Sequence, residues 1–108
     1  MARKYYRKLV RDRIPAAIEA DGLRCRTRSL SRAAYIRALK RKVAEESAEL
    51  LRARGRAALL NELVDLTEIL EAFRCALRVR PKAFEGIVRE KRLARGGFRK
   101  RLFLEYTE

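Results

Sequence analysis

Seven of the chain's 14 carboxylates fall between Glu45 and Glu71, and five of them form two sets, Glu45-Glu46-x-x-Glu49 and Glu62-x-x-Asp65. The whole chain carries 28 Lys and Arg and a formal net charge of +14, yet the only cations within that stretch are Arg52, Arg54 and Arg56. Residues three or four apart on a helix lie about 5 to 6 Å apart at Cβ. Each set therefore aims two carboxylates at one point, and two such pairs on neighbouring helices can hold a hard cation. A ligand set made only of oxygen suits Mg2+ or Mn2+ rather than zinc. The chain has no histidine, which removes Ser-His-Asp and Cys-His catalysis, His-ligated zinc and imidazole acid/base chemistry together.

The elements that must position these acids follow from period and punctuation. Ser31 is a good N-cap for a long helix over about 32–54, which Gly55 ends. A second long helix spans about 56–79, and Pro81 opens a third that stops at Gly96-Gly97. Upstream, Asp12 caps a short helix with Pro15 in its first turn and Gly22 as its stop. Residues 1–10 read as a short strand or an extended arm, and 23–30 and 101–106 as short strands, a minor sheet near the termini.

Both long helices bury acid in apolar rows. In the first, Ile36, Leu39, Val43, Glu46 and Leu50 follow a 3-4-3-4 spacing, so Glu46 sits in an otherwise apolar seam. In the second, Leu59, Leu63, Leu66, Leu70, Phe73 and Leu77 form one row. Ala58, Glu62, Asp65, Ile69, Ala72 and Ala76 form the adjacent row, with Glu62 and Asp65 its only polar members. Uncompensated charge in such rows costs several kcal/mol, which a cation can offset. Glu45, Glu46 and Glu49 have a blander alternative, a solvated helix face with ion pairs to Lys or Arg, in which Lys40, Arg41 and Lys42 could pair with Glu45 and Glu46; it suits Glu45 better than Glu46 or Glu49, whose rows are otherwise apolar. Glu68 and Glu71, farther down the helix, read as solvation or support.

The seam on the first helix is expected to pack against the Leu59 to Leu77 row within one hairpin. Apolar surface would then remain around the second helix, and large exposed apolar patches mark interfaces. The expectation is a mainly α protein whose antiparallel hairpins complete a four-helix bundle as a homodimer or higher even oligomer. At 108 residues the chain reads as a single domain, 1–108. No apolar run approaches the roughly 18 residues of a membrane span, and the start, MARKYYRKLVRDRIP, lacks the apolar region of a secretory signal. A cytoplasmic protein with Cys25 and Cys75 reduced is expected. The basic excess favours polyanions, with nonspecific nucleic-acid binding included.

Three ordered motifs carry a family resemblance: Glu45-Glu46-x-x-Glu49, then after 12 residues Glu62-x-x-Asp65; Lys8-Leu9-Val10-Arg11-Asp12-Arg13-Ile14-Pro15 near the start; and Lys91 followed by Arg95-Gly96-Gly97-Phe98. Together they resemble the all-alpha nucleoside triphosphate pyrophosphohydrolases, the MazG-like superfamily, and within it the small phosphoribosyl-ATP pyrophosphohydrolase-like branch. Asn61 departs from the pattern, standing where relatives often have another Glu.

The resemblance implies Mg2+, with Mn2+ as an alternative, held by Glu46, Glu49, Glu62 and Asp65. It implies cleavage of a nucleoside triphosphate between the α- and β-phosphates to give the monophosphate and pyrophosphate, in a nucleotide-sanitising role. Glu45 and Glu46 are the catalytic pair, Glu45 either supporting the ligands or accepting a proton. Lys8, Arg11, Lys91 and Arg95 would meet the phosphates, and Gly96 and Gly97 would let the backbone come close. Two other readings stand beside this one: a non-catalytic basic nucleic-acid-binding helical protein, and a hydrolase acting on phosphoribosyl-ATP. Tyr5, Tyr6, Tyr35 and Phe98 read as core rather than as a base-stacking platform, which leaves the nucleobase pocket unassigned.

Overall fold

The computed structural model of the chain describes residues 2–108, which group into two units, Met1–Leu77 and Arg78–Glu108. The first unit holds α1 (Ile14–Ala20), α2 (Arg32–Arg52) and α3 (Arg56–Ala76), and the second holds α4 (Pro81–Arg95). The chain is mainly helical, as its periodicity predicts. No strand forms among the described residues, so the strands expected over 23–30 and 101–106 are corrected to irregular segments, and of the two alternatives for 1–10 the strand is not formed; residue 1 lies outside the described residues. A strand satisfies its backbone only against a neighbour, and none of these three segments pairs with another.

The long helices begin and end on local signals. Ser31 Oγ accepts the Ala34 N–H at 3.2 Å, satisfying one of the unpaired donors at the start of α2. Between α2 and α3 the chain reverses over residues 53–55, and Gly55 adopts a φ of 83° that an L-residue with a Cβ rarely takes. Two boundaries differ from expectation. Arg13 rather than Asp12 stands at the N-cap of α1 and makes no side-chain cap bond, since a guanidinium has no acceptor to offer the first-turn N–H groups; Ile14 N–H is bonded to the Arg11 carbonyl at 3.1 Å. α3 stops at Ala76, three residues short of Val79, as Arg78 turns left-handed (φ 59°). Pro81 holds the residue before it extended, with Arg80 at ψ 150°.

In the first unit α2 and α3 pack as an antiparallel hairpin. Arg32, at the start of α2, donates from Nη2 to the carbonyl of Ala76, the last residue of α3, at 2.9 Å. Seven residues inward along each helix, this register sets Leu39 opposite Ile69; seven more set Glu46 opposite Glu62. Leu39 and Ile69 are the two buried apolar side chains among the described residues, 1% and 8% exposed.

The face that α3 turns inward is therefore the row of Glu62, Asp65, Ile69, Ala72 and Ala76, half-buried or buried throughout. This corrects the expected packing in part. Of the expected apolar row, Leu66 and Phe73 are half-buried, whereas Leu59, Leu63, Leu70 and Leu77 are exposed, Leu63 51% so. Small side chains explain the choice: Ala72 and Ala76 let the two backbones approach at the end where Arg32 closes the hairpin, which Leu70 and Leu77 would hold apart.

The second unit buries no side chain. Pro81 occupies the first turn of α4, and Arg92 and Arg95 lie in its last turn, where cations oppose the negative end of the helix dipole. Gly96, at φ 78°, ends the helix and donates its N–H to the Arg92 carbonyl at 2.7 Å.

The left-handed Arg78 yields a stability test. That conformation costs a residue with a Cβ about 1 to 2 kcal/mol, partly offset by glycine's greater unfolded-state entropy. Arg78→Gly should raise stability by about 0.5 to 1 kcal/mol, a gain of a few degrees in Tm. An unchanged or lower Tm in thermal melts would show that Arg78 does not end α3 in this way.

Candidate metal centre

The hairpin register brings one α2 acid and two α3 acids to a common layer. One oxygen from each of Glu46, Glu62 and Asp65 lies within 4.8 Å of the others, and all three residues are half-buried. The layer sits one heptad from the Leu39/Ile69 core and one heptad from the 53–55 turn, so its position follows from helix period rather than from a loop. At an effective dielectric constant near 20, two unit charges at this separation repel by roughly 3 kcal/mol, less where water reaches them.

Two cations answer this repulsion. Arg11, on the segment before α1, places Nη2 2.8 Å from Asp65 Oδ1. Lys42, one turn before Glu46 on α2 and only 18% exposed at its side chain, lies 3.6 Å from Glu45 Oε2 and 3.9 Å from Glu46 Oε1. Compensation is incomplete at Glu46. Burial pushes its carboxyl above the usual range; Lys42 opposes the shift, while the charges of Asp65 and Glu62 and a hydrogen bond to Glu62 add to it.

The remaining residues of interest lie elsewhere. Glu45 stands beside the layer on Lys42, outside the three-acid group. Glu49 turns to Arg52 at 3.0 Å and does not join the group either. Glu71 does support the fold, clamping Arg74 with a bond from Nε at 3.1 Å and a second from Nη2; these bonds hold its carboxyl below the usual range. Lys8 is exposed and lies over the Tyr6 ring. Lys91, Arg95, Gly96 and Gly97 belong to the second unit, all exposed. A Cβ built on Gly96 or Gly97 would meet nothing within 4 Å, so backbone conformation rather than crowding accounts for glycine at Gly96.

Two surface hollows lie away from these acids. One is lined by Leu50, Gly55, Arg56, Leu59, Leu60 and Leu63 beside the hairpin turn, the other by α4 residues around Phe84 and Val88. The Arg11–Asp65 pair escaped the reading of the sequence, since 54 residues separate the partners and no periodicity spans such a gap. Lys42 was legible from its i,i+3 and i,i+4 spacing. Cys25 and Cys75 are free thiols, and among the described residues no helix is long and apolar enough to cross a membrane.

The raised Glu46 carboxyl sets the sign of a pH effect. A folded-state value above the unfolded one contributes stability that is complete below the ordinary carboxylate range and lost as pH rises through the raised value. At neutral pH without divalent metal, Glu46→Gln should therefore melt higher than the unsubstituted chain, by about 4 °C for each kcal/mol relieved. The gap should close as pH falls toward 4.5. Melting curves at several pH values check this, and a lower Tm for the variant at neutral pH would contradict it.

Comparison with family models, with curated proteins and with solved structures gives no match to this chain.

Proposed function

We propose that the chain is a Mg2+-dependent nucleotide pyrophosphohydrolase of the MazG-like kind, converting a nucleoside triphosphate and water to a monophosphate and pyrophosphate in the cytoplasmic nucleotide pool. The observation that carries the proposal is the convergence of Glu46, Glu62 and Asp65 within 4.8 Å from two helices. Three carboxylates and no nitrogen or sulfur donor fit Mg2+ or Mn2+. Glu49, i+3 from Glu46, is the proposal's fourth ligand once it leaves Arg52. Bound there, the metal would neutralise polyphosphate charge and make a water more acidic.

The protein's own groups have separate tasks. Glu45 is the carboxylate beside the layer that the layer does not use, and so the one left to accept the proton of the attacking water. The water oxygen bonds to the α-phosphorus, the bond from that phosphorus to the bridging oxygen breaks, and pyrophosphate leaves with the electron pair. Lys8 and Arg11 bind phosphate oxygens, for which Arg11 must leave Asp65. Lys91 and Arg95 are proposed as anion contacts of the second unit, with Gly96 and Gly97 beside them. Phosphoribosyl-ATP would undergo the same chemistry.

The proposal includes self-association. A hairpin with two buried apolar side chains leaves Leu59, Leu63, Leu70 and Leu77 exposed, four members of a row at 4-3-4-3-4 spacing that has the pattern of a coiled-coil seam. Pairing two such rows would complete a four-helix bundle. Light scattering should give at least twice 12.6 kDa, and Leu63→Glu with Leu70→Glu should return it to a monomer. A fully active monomer would refute this part.

Turnover is tested separately. Mg2+ should raise Tm in the unsubstituted chain, and Glu62→Gln should lower pyrophosphate release at least 100-fold and abolish that rise. The rival, a basic nucleic-acid-binding protein without catalysis, is favoured by the +14 charge. Tight, salt-resistant nucleic-acid binding with no turnover of any nucleotide would favour that rival.

A further inference from the structure

Tyr5 and Tyr6 were expected in a core, yet they are 66% and 61% exposed on an arm, residues 2–13, that carries six cations and a single acid, Asp12. Cations crowd both rings. Lys4 Nζ lies 5.1 Å and Lys8 Nζ 5.7 Å from the centre of the Tyr6 ring, and Arg7 Cζ lies 5.4 Å from that of Tyr5. Arg7 is left-handed, at φ 48°, so the backbone turns between the tyrosines and Lys8. Farther along, Arg11 pins the arm to Asp65. Tyr6 lies five positions before that anchor, a span of at most ~18 Å fully extended.

We infer that this arm is a nucleotide-binding element: the base stacks on the Tyr5 and Tyr6 rings, and Lys4, Arg7 and Lys8 take the phosphates. An exposed cation over a ring is worth about 0.5 to 1 kcal/mol, whereas a base stacked on an aromatic side chain is worth about 1 to 3 kcal/mol. The base therefore displaces the cation from the ring face. The displaced ammonium stays tethered within reach of the phosphates of the same ligand, which an aromatic group or a cluster of lysines alone would not achieve. The inference deepens the reading of the chain as acting on nucleotides, supplying the base contact that reading lacked.

The test uses the full chain in EDTA, so that binding is read without metal or turnover and can succeed or fail independently of the hydrolysis assay. Isothermal titration with ATP and with inorganic tripolyphosphate should show ATP bound about 10-fold tighter or more. The Tyr5→Ala, Tyr6→Ala double variant should lose that advantage and bind tripolyphosphate unchanged, while the matching Phe variant keeps it. Equal binding of ATP and tripolyphosphate, or an Ala variant that loses neither or loses both alike, overturns the inference. So does a tyrosine dependence confined to a single-stranded oligothymidylate, which would assign the arm to nucleic acid instead.

Discussion

The hairpin depends on how it tolerates three carboxylates in one layer. Glu46, Glu62 and Asp65 converge because helix period and the Arg32–Ala76 register put them there, and nothing in that geometry is favourable by itself. Each ionised pair repels, and burial of Glu46 makes its charge more costly still. Lys42 and Arg11 each remove part of the cost. Arg11 is drawn in from the arm by this layer, and the Glu46 carboxyl is shifted by it.

The same layer explains why α3 presents its leucines outward. The helix has two candidate inner faces, and burying a leucine is worth about 1.5 to 3 kcal/mol, so an isolated hairpin gains more by turning the leucine row inward. The face that packs instead is the one with acids at one end and alanines at the other. This choice is intelligible if the leucine row has its own cover and the acids have a ligand. Both conditions are met by the proposed assembly and metal, and neither by a lone, ligand-free chain.

Local signals were legible in the sequence and relational ones were not. Ser31, Gly55, Pro81 and Gly96 each act on the backbone within four residues, and each sits where its chemistry places it. The pairing of Glu46 with Glu62-x-x-Asp65 was legible because both sets repeat at helical spacing. Glu49 shares that spacing yet pairs with Arg52, since a one-dimensional period does not distinguish an inward ligand from an i,i+3 ion pair at a helix end. The inner row of α3 was misread for a related reason. Apolarity ranks the leucine row first, while close approach of two backbones favours alanine, and only the assembled hairpin weighs one against the other. The expected strand over 23–30 rested on a partial alternation of apolar and polar residues; strand formation also needs a partner that no single segment can announce.

With no histidine in the chain, little besides carboxylates can change charge near the layer below neutral pH. Its cations are permanent ones, and they can be displaced but not switched off. Arg11 therefore has two competing attachments, the Asp65 carboxylate and any anion that reaches the arm. A cation that takes over Asp65 releases Arg11 toward the anion, and an anion that takes Arg11 strips Asp65 of its counter-charge and raises its demand for a cation. In the proposed enzyme the two kinds of ligand would thus favour one another through a single guanidinium, and a metal–polyphosphate complex would match this arrangement better than either component alone.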